Sequence, residues 1–386
     1  MSADERFDFD AVIDRTGTES LKCARYRGRD VIPMWVADMD FKAPEPVVRA
    51  LRERVEHGVF GYAVPPEGLA ELVVDRMRLL YNWHIERTWI VWLPGVVPPL
   101  HATCRALGDD GDEVLTFTPI YPPFLTAPPL LRRQLRTVPL KREHNRYTFD
   151  LDAFERSLSP RSRVLLLCSP HNPTGRRYEP DELRRLAEVC LAHGVTICSD
   201  EIHCDLILDG GRHVPTATLS PEIATNTITL MSPSKTFNLP GLNCAFAIIE
   251  DPDLRRRFRQ ARDGIIPHPN ALGFVACRAA YEHGEPWRTA ILDYLRTNAE
   301  LVHDFTTQTP GLSMDPVQAT YLAWIDARAL NLPDPTRFFV DAGVGLSDGR
   351  DFAAEGFVRL NFACPRPTLT NALHRLQSAL AQQPRS

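Results

Sequence analysis

Short apolar runs alternate with longer amphipathic stretches through the middle of the chain. The runs 112–118 (DEVLTFT), 163–168 (RVLLLC), 195–199 (VTICS), 227–231 (TITLM) and 244–249 (CAFAII) read as buried strands, because apolar residues continue through them without a polar face. Between them, 180–193 reads as a helix. Pro180 suits its first turn, Leu183, Leu186, Ala187, Cys190 and Leu191 form one apolar stripe, and Gly194 ends it. Positions 46–57 follow the same logic, with Val47, Val48, Leu51 and Val55 on one side and Gly58 as the stop. Strands alternating with helices predict an α/β protein with a mostly parallel central sheet flanked by helices.

The C-terminal third changes character. Positions 290–305 and 368–380 read as long helices, and 320–325 (TYLAWI) and 357–362 (FVRLNF) as strands of a smaller α/β unit. The expected division is a large domain at 45–290 and a small domain combining 1–44 with 291–386. A chain of 386 residues suits that arrangement better than one small core. The 33 prolines are dispersed, so they punctuate many short elements and mark no disordered tract.

Composition narrows the functional classes. The net charge of −5 gives no electrostatic case for nucleic acid or an anionic membrane, and the triplet Arg255, Arg256, Arg257 is too short for a binding stripe. It reads as a solvated helix face. No apolar stretch approaches the roughly 20 residues that span a bilayer. The start MSADERFDFD is acidic and polar, unlike a signal or transit peptide. Nine cysteines form no Cys-x-x-Cys pair and no zinc spacing, and several lie inside apolar runs, as Cys168 and Cys198 do. The expectation is a cytoplasmic protein in a reducing compartment, with no metal.

Four motifs carry chemistry. Directly after TITLM comes Ser232-Pro233-Ser234-Lys235-Thr236-Phe237-Asn238. A lysine at a strand end beside Phe237 can be partly desolvated, which lowers its pKa and makes it competent as a nucleophile toward a carbonyl. The alternative is a surface lysine in a polar turn. After VTICS, Asp200 stands at the end of a buried strand, where a carboxylate is costly unless it meets a cation. The plainer alternative is a helix cap; metal binding together with His203 is disfavoured, because no further ligand cluster appears. In Ser169-Pro170-His171-Asn172-Pro173-Thr174-Gly175, the Asn172 amide could bond its own backbone or donate to a ligand oxygen. Pro94-Gly95-Val96-Val97-Pro98-Pro99 opens a helix whose free N–H groups could hold a phosphate. All four fall at the ligand-gathering edge of an open α/β sheet. Together they offer an anion cradle, a cation partner, a phenol partner and an amine, which is the set of groups that pyridoxal phosphate requires.

From Phe9 to Leu380 the strings SPSKTFNLPGL, SDEIH, CSPHNPTGR, PGVV, FTPIYPPF, MWVADMDF, HGVFGY and FVRLNFACPR resemble the fold type I pyridoxal-phosphate enzymes of the aspartate-aminotransferase superfamily. The resemblance is nearer to the cystathionine β-lyase (cysteine-S-conjugate β-lyase) branch. It implies that Lys235 bonds covalently to the cofactor and then moves protons. It implies that Asp200 pairs with the pyridine nitrogen, that Asn172 bonds the 3′-oxygen with His203 near it, and that Tyr121 stacks on the ring. The backbone of Gly95, Val96 and Val97, with the Ser232 hydroxyl, would hold the phosphate. Tyr62 would reach the cofactor of a neighbouring subunit, making a homodimer necessary. Arg359 would clamp the substrate α-carboxylate, and Trp35 and Asp38 would line the substrate entrance. Plainer roles stay open: core histidine for His203, packing for Tyr121, Tyr62 and Trp35, and a structural ion pair for Arg359.

The chain departs from the branch at three places: Cys23 where tryptophan is frequent, Pro240 where a small residue is usual, and a shortened segment GRDFAAEGFVRLN without Phe-Gly; the first and third bear on the substrate. The activity implied is β-elimination from a cysteine conjugate. An aminotransferase, or an enzyme cleaving, decarboxylating or deaminating a cysteine conjugate on a larger scaffold, is the alternative. A non-catalytic regulator that binds the cofactor is disfavoured, because the 386 residues leave no spare length for a DNA-binding module and show no basic stripe.

Overall fold

The computed structural model describes residues 7–382. Residues 1–6 and 383–386, which belong to the expected small domain, lie outside the described residues. Seven strands make the main sheet: β1 (Ile90–Leu93), β2 (Glu113–Thr118), β3 (Gln134–Pro139), β4 (Ser162–Cys168), β5 (Thr196–Asp200), β6 (Thr227–Met231) and β7 (Ala245–Ile249). Their order is β1-β7-β6-β5-β4-β2-β3. The neighbours β3, β2, β4, β5 and β6 run parallel, as the alternation of strands and helices predicts. β7 runs antiparallel to both β1 and β6, which the apolar pattern could not announce, since burial on both faces looks the same in either direction. Two strands escaped the pattern. β1 is a run of only four residues, and β3 is a mostly exposed edge strand whose sequence QLRTVP is half polar.

The helix expected over 180–193 runs Pro180–Ala192 and is closed at its start by a reciprocal bond pair between Glu179 and Glu182. The expected 46–57 helix is Glu45–Glu56. The helix expected from 290 begins at Glu285 and runs to Gln308, so position 290 lies inside it. A second, antiparallel sheet joins β8 (Ser313–Met314), β9 (Leu322–Asp326), β10 (Ser347–Asp348) and β11 (Phe357–Asn361) in the order β8-β9-β11-β10. The final helix is Arg366–Ala381. The arginine triplet lies on the helix Pro252–Arg262, where Arg255 donates to the Ile249 and Glu250 carbonyls and Arg256 pairs with Asp253.

One feature ties the two sheets together. Residues 34–41 cross as an irregular strap pinned by Asn238, from the loop after β6, and by Asn361 at the end of β11. Asn238 Nδ2 donates to the Met39 and Phe41 carbonyls at 2.9 and 2.8 Å, and its Oδ1 accepts from Met39 N–H. Asn361 Nδ2 donates to the Val36 and Asp38 carbonyls at 2.5 and 2.6 Å. A backbone without its own ladder must find such partners when it is covered.

Candidate active site

β4, β5 and β6 end side by side, with Cys168 in register with Asp200 and Asp200 with Leu230. Because these strands are parallel, the loops after them open onto one edge, and the cavity of about 690 Å³ lies there. Its lining includes Gly95, Val96, Val97, Tyr121, Asn172, Asp200, His203, Ser232, Lys235, Trp35 and Arg359. Two site residues expected from the sequence do not line it. Tyr62 stands fully exposed on the irregular segment after the Glu45–Glu56 helix. Asp38 is turned into an ion network, 2.8 Å from Arg15 and 3.6 Å from the buried Lys22. The two cations draw its carboxylate aside, so the entrance is lined by Trp35 without it.

Asp200 is the last residue of β5, one position further than the strand expected at 195–199. It is buried and accepts a bond from Ile202 N–H at 3.1 Å. Burial pushes its carboxyl up to about 7, with the Ile202 N–H and the Lys235 charge pulling the other way. Behind it, the buried Glu201 accepts from Ser199, from Thr216 N–H and from His213 Nε2 at 2.6 Å, which fixes the loop.

Lys235 follows β6 in a loop anchored from below. Thr236 donates to Asp205, a carboxylate also held by Arg76 at 2.8 Å and by the Tyr81 hydroxyl at 2.6 Å. Arg76 and Arg288 hold the Asp205 carboxyl down at about 2 against its burial. The Lys235 amine donates to the Ala37 carbonyl of the strap at 2.5 Å, and the Tyr321 hydroxyl donates to the same oxygen at 2.9 Å. Burial lowers the amine to about 8; Asp38 and Asp200 raise it and Arg359 lowers it further.

Arg359 is buried on β11. It donates to Asn172 Oδ1 at 2.8 Å and to the Trp35 carbonyl at 2.8 Å, and its Nε is without a partner. Burial lowers even this guanidinium to about 10. Since Asn172 Oδ1 is taken by Arg359, its amide N–H groups are the free end. His203 is buried beside Tyr321, with Nδ1 unpartnered, and burial next to the Lys235 and Arg359 cations drives its pKa well down. It is a neutral ring. Ser232 Oγ lies 2.8 Å from Ser234 Oγ and 2.7 Å from the Cys244 carbonyl. Val97 opens a ten-residue helix. A Cβ added at Gly95 would meet no atom within 4 Å, so the backbone there is approachable.

These donors fit pyridoxal phosphate. A buried carboxylate without a cation suits a protonated pyridine nitrogen, the free Asn172 amide suits a phenolic oxygen, and Gly95 to Val97 with Ser232 suit a phosphate. Among the described residues no group of three or more His, Cys, Asp or Glu could hold a metal ion. Sequence reasoning gave no role to Ala37, Asn238, Asn361, Ser234 or Tyr321. Asn238 and Ser234 were visible in the lysine string, but Tyr321 and the Ala37 carbonyl carry no local signal.

The chain belongs to the aminotransferase class I and II family, whose model matches residues 29–376. Particular relatives are nearer. Cystathionine β-lyase PatB of Bacillus subtilis (strain 168) is 37% identical over 387 residues, covering 97% of this chain and all of that one. The crystal structure of OvoB superposes with a TM-score of 0.96 at 45% identity, covering 98% of this chain and 100% of that one. Cystalysin from Treponema denticola, which contains pyridoxal 5′-phosphate, superposes at 0.94 with 33% identity, covering 97% and 99%.

Proposed function

We propose that this protein is a pyridoxal-phosphate-dependent carbon–sulfur β-lyase that cleaves cystathionine or another cysteine S-conjugate to a thiol, pyruvate and ammonia. The observation that carries the reading is the pairing, in one cavity, of the buried Asp200 carboxyl with the Lys235 amine lowered to about 8. Bound pyridoxal phosphate supplies an electrophilic carbon for the substrate amine and a sink for the electron pair left at Cα.

The chain's own groups do the rest. Lys235 would hold the cofactor through its Nζ, which the substrate amine would free. The freed Nζ, neutral in a useful fraction near neutral pH, takes the Cα proton. Asp200, ionised once a cation faces it, would keep the pyridine nitrogen protonated. Arg359 turns its fork to the α-carboxylate and so fixes which bond is broken. Asn172 and His203 would border the phenolic oxygen, Tyr121 would cover the ring, and Gly95, Val96, Val97 and Ser232 would grip the phosphate. The C–S bond then breaks, the sulfur leaves with the electron pair, and the proton on Nζ is at hand for it. The three-carbon enamine left behind hydrolyses to pyruvate and ammonia.

The large unit at 45–290 carries the lysine and the carboxylate, and the unit combining 1–44 with 291–386 supplies the strap and Arg359. The active form is a homodimer in which Tyr62 enters the neighbour's cavity. Support comes from the exposed Val59, Phe60, Tyr62 and Val64 on one short segment, an apolar surface that suits burial against a second copy. All nine cysteines are free, which supports a cytoplasmic location, and no helix of the described residues is long and apolar enough to cross a membrane. The test is product analysis with L-cystathionine and S-alkyl cysteines, beside a Lys235→Ala control. Pyruvate and thiol in equal amounts are expected. A panel that yields neither, or amino transfer to a 2-oxo acid in their place, refutes the lyase assignment.

A further inference from the structure

The Lys235 amine has a partner to which the elimination gives no part. It reaches the Ala37 carbonyl of the strap, one of a series of oxygens that are all engaged. The Met34 carbonyl accepts from Asn361 N–H at 2.9 Å, and the Trp35 carbonyl from Ser347 Oγ and Arg359 Nη2, each at 2.8 Å. Those of Val36 and Asp38 are taken by Asn361 Nδ2, and that of Met39 by Asn238 Nδ2. Ala37 lines the cavity, and its oxygen accepts from the Tyr321 hydroxyl at 2.9 Å and from Lys235 Nζ at 2.5 Å. A carbonyl oxygen has two lone pairs. Here one is filled by a donor that stays and the other by a donor that the reaction must move.

Tyr321 is held so that it stays. It is buried immediately before β9, and its own carbonyl accepts from Phe362 N–H at 3.0 Å. Its ring meets His203 edge to face, with centroids 5.9 Å apart. The preceding Thr320 has a φ of 73°, a left-handed backbone that a β-branched residue keeps only where its surroundings hold it. They do: Thr320 N–H donates to the Leu206 carbonyl at 2.8 Å, and its Oγ1 accepts from Leu322 N–H at 3.1 Å. Burial, with Asp38 nearby, holds the phenol well above its ordinary range. The hydroxyl therefore remains a donor and takes no proton itself.

We propose that Tyr321 is a positioning residue for proton removal: it fixes the direction of the Ala37 carbonyl, which receives the Lys235 amine once the substrate has freed it and keeps Nζ facing Cα. The Trp35 carbonyl, two residues along the same strap, holds Arg359. The strap thus also sets the spacing between the group that takes the proton and the group that grips the α-carboxylate. Without the tyrosine the carbonyl can turn, and a misplacement of about 1 Å costs up to about a hundredfold in rate. This role rests on Lys235 being the group that takes the Cα proton. It does not depend on which bond breaks afterwards.

The test uses holoenzyme and L-alanine, which has a Cα proton and no leaving group. Exchange of that proton in deuterium oxide is followed by NMR, and the alanine dissociation constant is measured by calorimetry. Tyr321→Phe should slow exchange about tenfold or more and leave cofactor content and alanine affinity unchanged. The primary isotope effect with Cα-deuterated alanine should be larger in the variant, because proton removal has become the slower step. Unchanged exchange, or a loss of affinity that accounts for the whole loss of exchange, overturns the proposal. Crystals of the wild-type holoenzyme with 2-aminoisobutyrate, which has no Cα proton to lose, give a reading that needs no substitution. Nζ should lie within hydrogen-bond distance of the Ala37 oxygen, and an Nζ placed elsewhere also overturns the proposal. Lys235→Ala separates the two levels. Exchange that survives in it refutes Lys235 as the base, and this role with it, whereas exchange lost there but intact in Tyr321→Phe sinks the positioning role alone.

Discussion

The amine of Lys235 should titrate far below an ordinary lysine in the cofactor-free protein. The structure places it at about 8, with burial as the cause. An unperturbed lysine has a pKa of about 10.4, so at pH 7.5 its free-amine fraction is about 0.1%, against about 24% for a group at 8. The sign follows from the charge. Desolvation penalises the cation, so the neutral nucleophile is favoured, making up half of the amine at about pH 8 and nearly all of it a unit or so higher. Competitive acetylation of the apoenzyme across pH 6–11, with labelled peptides quantified by mass spectrometry, reads this directly. A short lysine-containing peptide added to the same sample serves as the reference. The Lys235 curve should reach its midpoint near 8 and flatten above 9, while the side chain of a free lysine peptide continues to rise past about 10. Adding pyridoxal phosphate should remove Lys235 labelling alone. A Lys235 midpoint at 10 or above, or labelling that the cofactor does not block, refutes the placement of this amine.

Three further outcomes follow from the same geometry. Because the Asp200 carboxyl is raised to about 7 when no cation faces it, the folded apoenzyme holds that proton more tightly than the unfolded chain, and its stability falls as pH rises from about 4 to 7. Asp200→Asn should therefore raise the apoenzyme melting temperature at pH 8, by at most about 4 kcal/mol of stability, and have little effect at pH 4, while destroying turnover; equal melting shifts at both pH values contradict this. Tyr62→Ala should change stability by no more than about 0.5 kcal/mol, since the side chain is exposed, yet abolish activity. Mixing it with inactive Lys235→Ala after subunit exchange should restore a measurable fraction, because one mixed site is intact, and no restoration argues against a shared site. Arg359→Lys keeps the charge but loses the fork that reaches Asn172 and Trp35, so kcat/KM should fall by about two orders of magnitude, checked by steady-state kinetics.

Local pattern was enough for the elements whose burial is continuous. The strands at 163–168 and 227–231 and the helix at 180–193 stand where periodicity put them, to within a residue at each end. The motifs after those strands were legible for the same reason. A parallel strand delivers its next residues to one sheet edge, so Asn172, Asp200 and Lys235 had to meet once the strands were neighbours. The sequence by itself therefore determined the fold class, the meeting of these three residues at one sheet edge, and the family. It could not decide the direction of β7 or the existence of the edge strand β3, because pairing is a relation between segments and leaves little trace in either one alone.

The tertiary structure alone decided how distant residues share work. That the Ala37 carbonyl takes bonds from both Lys235 and Tyr321, some 200 positions or more along the chain, follows from the crossing of the strap and not from any motif. The same holds for Asp38. Its string pointed to the substrate entrance, but Arg15 and Lys22 compete for its carboxylate more closely than the cavity does. Backbone preference and side-chain periodicity act within a few residues, and so they are written locally. Desolvation and charge pairing depend on what the folded chain brings within a few ångströms, and they are fixed only when it has closed.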